Sequence, residues 1–265
     1  MADGSVVPID RKVVRKFKTE EDVAVALAKY IADLSDKFIK VKGSFTVVLS
    51  GGTLIDTMRK LVEPPYLHGV DWTKWYIFWV DERVVPLDSP DSNYKLAHDG
   101  FLSKVSIPSH QIYPIHYKPG PQGPEFAARD YEERLRKLVE KKILPLSPVT
   151  GFPIFDLMLL GMGPCGHVAS LFPNRSQQND KKDWVTFITD SPKPPPPRIT
   201  FTFPVINTAS EIAMVVTGLE VSLATHVALK SKHHDFGLQG PLPVQKVSAE
   251  VLLTWFLDEN AAFQQ

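Results

Sequence analysis

Two kinds of apolar pattern alternate along the 265-residue chain. Thr19-Glu20-Glu21-Asp22 joins a hydroxyl cap to acids suited to a first helical turn, and Val23, Leu27, Tyr30, Ile31, Leu34 and Phe38 follow at helical spacing. Phe45-Thr46-Val47-Val48-Leu49 is a short β-rich run closed by Ser50-Gly51-Gly52-Thr53, and residues 54–62 read as a helix. Trp75-Tyr76-Ile77-Phe78-Trp79-Val80 reads as a buried strand ending in Asp81-Glu82-Arg83. Residues 125–142, rich in Glu, Arg, Lys and Leu, form an amphipathic helical pattern. The apolar run 154–160 is another buried strand, 199–203 alternates as a strand does, and 212–217 is apolar throughout and so central. Residues 219–230 read as a helix and 251–257 as a last strand.

Strands that alternate with helices, several of them apolar on both faces, predict an α/β fold. The expected form is one Rossmann-like domain over residues 1–265, with a mostly parallel sheet flanked by helices on both faces. In such sheets ligands bind beyond the carboxyl ends of the strands. There is no internal repeat and no domain linker, and the run Pro194 to Pro197 reads as a stiff surface loop feeding the next strand.

Composition adds exclusions. Apolar residues are 43% and charged residues 23%, the balance of an ordinary globular protein. The 30 basic and 30 acidic residues cancel, so neither nucleic acid nor an anionic membrane is an expected partner, and an anionic small substrate needs a local basic site. The single cysteine, Cys165, rules out an intrachain disulfide and fits a reducing compartment. No apolar run approaches the roughly 20 residues of a membrane helix. Neither end carries a recognisable targeting signal, so the cytoplasm is the expected location. Oligomeric state leaves no trace beyond monomer or weak homo-oligomer.

Three segments at predicted strand ends carry candidate chemistry. Gly161-Met162-Gly163-Pro164-Cys165-Gly166-His167 delivers an imidazole from a glycine-rich turn after a buried strand, and His167 is the candidate proton-transfer residue. Ser50-Gly51-Gly52-Thr53 is a candidate phosphate cradle, with backbone amides and the Thr53 hydroxyl as donors. Arg83 offers a planar fork for a phosphate, and Asp81 and Glu82 beside it can orient it or cap neighbouring amides. Cys165 lies two residues before His167, but a thiol nucleophile lacks an evident third, orienting group. His233-His234 has no ligand cluster at metal spacing and reads as surface.

With those residues in place, the chain resembles the glucosamine-6-phosphate isomerase/6-phosphogluconolactonase superfamily, on its lactonase side. The matching segments are Leu49-Ser50-Gly51-Gly52-Thr53, Asp81-Glu82-Arg83-Val84-Val85-Pro86, Ser92-Asn93-Tyr94, Gly161-Met162-Gly163 with Gly166-His167, Ser170-Leu171-Phe172-Pro173, and residues 190–200. The resemblance implies hydrolysis of a phosphosugar lactone, the second step of the oxidative pentose phosphate pathway, with no metal or organic cofactor. It places the phosphate on Gly51, Gly52, Thr53 and Arg83, makes Arg198 a further basic candidate, and makes His167 the base on an attacking water. Gly163 and Gly166 are further expected substrate-binding positions, and backbone amides of the glycine turns are candidate oxyanion donors whose direction the sequence does not show. Two positions depart from the family's pattern: Cys165 stands where an Asp is usual, and Val221 where a Lys is usual. These departures motivate an alternative, a weakened or non-catalytic sugar-phosphate binder. A deaminase is disfavoured, because Leu171-Phe172-Pro173 replaces the carboxylate-bearing segment that deaminases carry there.

Overall fold

The computed structural model describes residues 12–230 and 240–263. In chain order the strands are β1 (Lys12–Phe17), β2 (Phe45–Leu49), β3 (Trp75–Trp79), β4 (Asp81–Arg83), β5 (Leu157–Leu160), β6 (Val185–Ile188), β7 (Arg198–Phe201), β8 (Glu211–Val216) and β9 (Leu252–Asp258). The helices are α1 (Glu20–Lys42), α2 (Thr53–Thr57), α3 (Tyr66–Gly69), α4 (Asn93–Gly100), α5 (Gly123–Glu140), α6 (Phe203–Asn207) and α7 (Ser222–Lys230).

Six strands form one sheet in the order β1-β9-β8-β5-β2-β3, every neighbouring pair parallel. Two apolar clusters cover its faces. On one side lie Val23, Leu27, Ile31 and Leu34 of α1 with Trp72, Trp75 and Phe101; on the other lie Ala127, Tyr131, Leu135 and Leu138 of α5 with Phe155 and Phe201. Burial of that area on both faces explains why β2, β5 and β8 are apolar at every position but a few.

The strand order reverses between β2 and β5. From β2 the chain moves to β3 on one side, and from β5 it moves to β8 and β9 on the other. The loops leaving β2 and β5 therefore diverge and open a crevice at the carboxyl end of the sheet.

A second, smaller sheet accompanies the expected parallel one. β4, β7 and β6 pair antiparallel. Only Val80 separates β3 from β4; its amide bonds Leu49 O in the large sheet and its carbonyl accepts Phe201 N of the small one. The chain thus steps from one sheet to the other at one residue, and Arg83 ends above the crevice. The strand expected at 199–203 lies here as β7. The helix expected at 54–62 shortens to α2 followed by a 3₁₀ turn at Arg59–Val62.

Local signals explain the long helices. Thr19 and Asp22 form a reciprocal cap at the start of α1, and Gly43, with φ of 80°, ends it in the left-handed conformation. α5 begins with a proline in its first turn.

Candidate active site

The crevice is a cleft of about 260 Å³, lined by the turns after β2 and β5, by β4, by the proline loop before β7 and by the segment after β8. Ser50, Gly51, Gly52, Thr53, Asp81, Arg83, Gly163, His167 and Arg198, named from the sequence, all line it. Gly166 does not.

His167 sits on the turn that leaves β5. Its ring stacks on Phe172 with centroids 4.6 Å apart and planes 25° apart. A Cβ on Gly163 would stand 1.9 Å from its Cε1, so only glycine at 163 leaves room for the ring. Nδ1 lies 3.1 Å from Cys165 Sγ. Burial, and then the charges of Lys193 and Arg198, push the imidazole pKa down to about 4. The ring is therefore neutral at physiological pH and able to accept a proton.

Among the glycine-turn amides, those of Gly163 and Gly166 are engaged within the turn itself. Gly163 N donates to His167 O at 3.1 Å, and Gly166 N donates to Gly163 O at 2.8 Å. Both amides are consumed in closing the turn. Gly166, with φ of 74°, packs instead against Leu242, where a Cβ would meet Cδ1 at 2.7 Å.

The β2 turn fares differently. The amides of Gly51 and Gly52 have no partner among the described residues, and the Ser50 hydroxyl is buried without one. α2 is only five residues long, so its dipole adds little, and the anion-binding capacity of this turn rests on its amides and hydroxyls. Gly51 lies so close to Asn93 that a Cβ would fall 1.9 Å from Oδ1. Asn93 in turn donates through Nδ2 to Asp81 O at 3.0 Å, tying β4 to the turn.

Arg83 donates Nη1 to Asp91 O at 2.8 Å, and its Nε is buried without a partner. Glu82 does not orient it. The Glu82 carboxylate accepts from the amides of Arg83, Asn93 and Tyr94 and from the Ser92 hydroxyl, at 2.7 to 3.2 Å, and so caps α4. Burial pushes its pKa up to about 7, while those backbone donors oppose the shift. Asp81 accepts from Ser170 Oγ at 2.7 Å; burial raises its pKa, and Ser170 and the two arginines counter the rise.

Arg198 reaches the cleft with most of its donors occupied. Its Nε bonds Pro195 O, and Nη2 bonds the carbonyls of Lys193 and Pro194 at 2.9 and 3.0 Å. It holds the proline loop in place and adds positive potential. That loop brings in a cation the sequence reading did not single out, Lys193, which lines the cleft. Lys193 lay inside the motif spanning 190–200, but nothing local showed that a proline loop would fold over the imidazole. Val221 lines the cleft, 4% exposed, so the position usually lysine is apolar here. The groove therefore holds cations from the β4 and proline-loop sides and none at 221. His233-His234 lies outside the described residues. Among those described, no group of three or more His, Cys, Asp or Glu is placed to hold a metal.

A neutral histidine, three cations and unpartnered donors at the switch point of a parallel sheet mark an α/β protein whose cleft suits a small anionic molecule. The chain belongs to the family described as glucosamine-6-phosphate isomerases/6-phosphogluconolactonase, whose model matches residues 18–255. It is 57% identical over 246 residues to a protein of Oryza sativa subsp. indica named "Probable 6-phosphogluconolactonase 4, chloroplastic", spanning 92% of this chain and 74% of that one. It is 52% identical over 262 residues to "6-phosphogluconolactonase 3, chloroplastic" of Arabidopsis thaliana, spanning 99% and 78%. Among solved structures, 6-phosphogluconolactonase from Thermotoga maritima superposes with a TM-score of 0.76 at 28% identity, over 94% of this chain and 100% of that one. A monomeric glucosamine-6-phosphate deaminase superposes at 0.74 over 96% and 100%, but at 19% identity the likeness extends to the fold alone.

Proposed function

We propose that this chain hydrolyses 6-phospho-D-glucono-1,5-lactone to 6-phosphogluconate, the activity for which its relatives are named. The observation that carries the proposal is His167, held neutral in a cleft that also holds Arg83 and Lys193. Neutral His167 takes a proton from water as the water oxygen attacks the lactone carbonyl carbon. The tetrahedral intermediate collapses, the bond from that carbon to the ring oxygen breaks, and the imidazolium returns the proton to the departing oxygen. Water supplies the nucleophile and the proton is returned, so the step balances from these groups. Arg83, Lys193 and the amides of Gly51 and Gly52, with the Thr53 hydroxyl, hold the phosphate.

The stacked ring of Phe172 occupies the place beside His167 where a deaminase needs a carboxylate, which supports the lactonase over the deaminase. The binder alternative draws on Cys165 and Val221 alone, and none of the relatives described supports it. The test is the rate of hydrolysis of freshly generated lactone, with the spontaneous rate subtracted. A rate proportional to protein concentration, with no ammonia released from glucosamine 6-phosphate, is expected; the converse pattern would reverse the assignment.

The rest of the proposal is coarser. Residues 1–265 act as one domain, monomeric or weakly self-associating, with no nucleic-acid or membrane partner. A single cooperative unfolding transition and a monomer mass in solution would agree with this. None of the described helices is long and apolar enough to cross a membrane. The cytoplasm remains the proposed location, against a plastid suggested by relatives named chloroplastic. Imaging of the tagged full chain in its own cells decides between them.

A further inference from the structure

The lactonase reading leaves unused the contact that exposed Cys165, beside the cleft, makes with His167. Sγ and Nδ1 stand 3.1 Å apart, hydrogen-bond distance for sulfur. The turn that presents both residues is closed by two backbone bonds, Gly163 N to His167 O and Gly166 N to Gly163 O. The ring stacks on Phe172 and leaves no room for a Cβ at Gly163. Nε2 has no partner among the described residues. What remains unfixed by packing is which nitrogen carries the proton.

That choice decides whether the residue can act. A neutral imidazole has one N–H. If Nδ1 carries it, Nε2 offers a lone pair to water. If the thiol donates to Nδ1, Nε2 carries the hydrogen and cannot take a proton. The charged groups facing the ring do not settle the matter. Lys193 and Arg198 come from the proline loop, while Arg83 and Asp81 from β4 and Glu220 from the segment after β8 line the same cleft. Lys193 and Arg198 act on the ring's total charge, whereas Cys165 alone touches a ring nitrogen.

We infer that Cys165 is the positioning residue of the base: its sulfur accepts the Nδ1–H of His167 and leaves Nε2 open to water. The inference rests on His167 being the base. Through the cycle the Nδ1–H bond is kept. Nε2 gains the proton from water, the ring becomes imidazolium, and Nε2 loses the same proton to the departing ring oxygen. Sulfur neither bonds to substrate nor changes oxidation state.

The experiment compares wild type with Cys165→Ala, Cys165→Asp and Cys165→Ser, each first shown to unfold at the wild-type temperature. Two readouts are taken near pH 7: kcat and KM for lactone hydrolysis, and the 15N NMR signals of the His167 ring, assigned with His167→Ala. The expected wild-type spectrum has Nδ1 protonated and Nε2 bare. In Cys165→Ala the spectrum shifts to a tautomer mixture, and kcat falls about tenfold, the scale of one lost hydrogen bond, with KM little changed. Cys165→Asp, an acceptor only, restores the Nδ1–H form and brings kcat to wild type or above. Cys165→Ser falls between Ala and Asp. The inference is overturned if wild type carries its proton on Nε2, or if Cys165→Ala leaves the ring signals unchanged, whether or not kcat falls. The NMR result stands even if the chain proves not to turn over the lactone, so failure of the positioning role and failure of the lactonase assignment are separable.

Discussion

Replacing Gly163 by alanine is the sharpest way to disturb the base without touching its chemistry. The backbone at 163 does not need glycine, since Gly163 is absent from the positive-φ positions. The added methyl instead lands 1.9 Å from His167 Cε1, where ordinary contact begins at 3.4 Å. The ring must shift by about 1.5 Å, the difference between those two distances, and its stack on Phe172 is disturbed. Misplacement of a catalytic group by about 1 Å costs roughly a hundredfold in rate. Gly163→Ala should therefore lower kcat about a hundredfold, while affinity for 6-phosphogluconate, which the proposal assigns to Arg83 and Lys193, changes little. Overpacking at this partly open site costs stability only about 1–3 kcal/mol. The assay is steady-state hydrolysis with the spontaneous rate subtracted, alongside calorimetric titration with 6-phosphogluconate. Wild-type kcat in a folded Gly163→Ala protein would refute the placement of His167 as the reacting group.

Four further outcomes follow from the same geometry. Arg83→Ala and Lys193→Ala each remove a charged contact of about 1.5–3 kcal/mol, so KM should rise roughly tenfold to a hundredfold, with less effect on kcat; steady-state kinetics of the single and double variants check this. The imidazole pKa is lowered from 6.5 to about 4, so kcat/KM should hold as pH falls through 6.5 and decline only near 4, and a midpoint at 6.5 would contradict it. The same shift means the unfolded chain binds the proton first, so this group withdraws stability as pH falls from 6.5 towards 4, which urea titrations across that window can follow. Glu82→Ala leaves the buried Asn93 and Tyr94 amides without their acceptor, about 1–3 kcal/mol for each such group, so the midpoint of thermal unfolding should drop by several degrees.

The sequence was most legible where one local rule decided the structure. Val23, Leu27, Ile31 and Leu34 mark the buried face of α1, and the Thr19 cap marks its start. The apolar runs of β2, β3, β5 and β8 pointed to a parallel sheet, and the turns after β2 and β5 held Gly51 and His167 as expected. Non-local pairings were hidden. β1 is an edge strand with nearly every residue exposed, so it has no apolar face to betray it. β6 is four residues long and follows a polar stretch. The antiparallel sheet exists because β4 finds β7 more than a hundred residues away, which no local window contains. The same distance hid Lys193, and it hid the occupied donors of Arg198. Backbone direction was hidden too: the glycines at 163 and 166 signalled a tight turn correctly, but not that closing it would consume both amides.

Most directly, the account stands or falls on the hydrolysis of 6-phosphogluconolactone by the wild-type chain and by His167→Ala, measured side by side against buffer. A wild-type rate well above buffer that drops at least a hundredfold in folded His167→Ala is the predicted result. A His167→Ala protein as fast as wild type, or a wild-type rate equal to buffer, would contradict it.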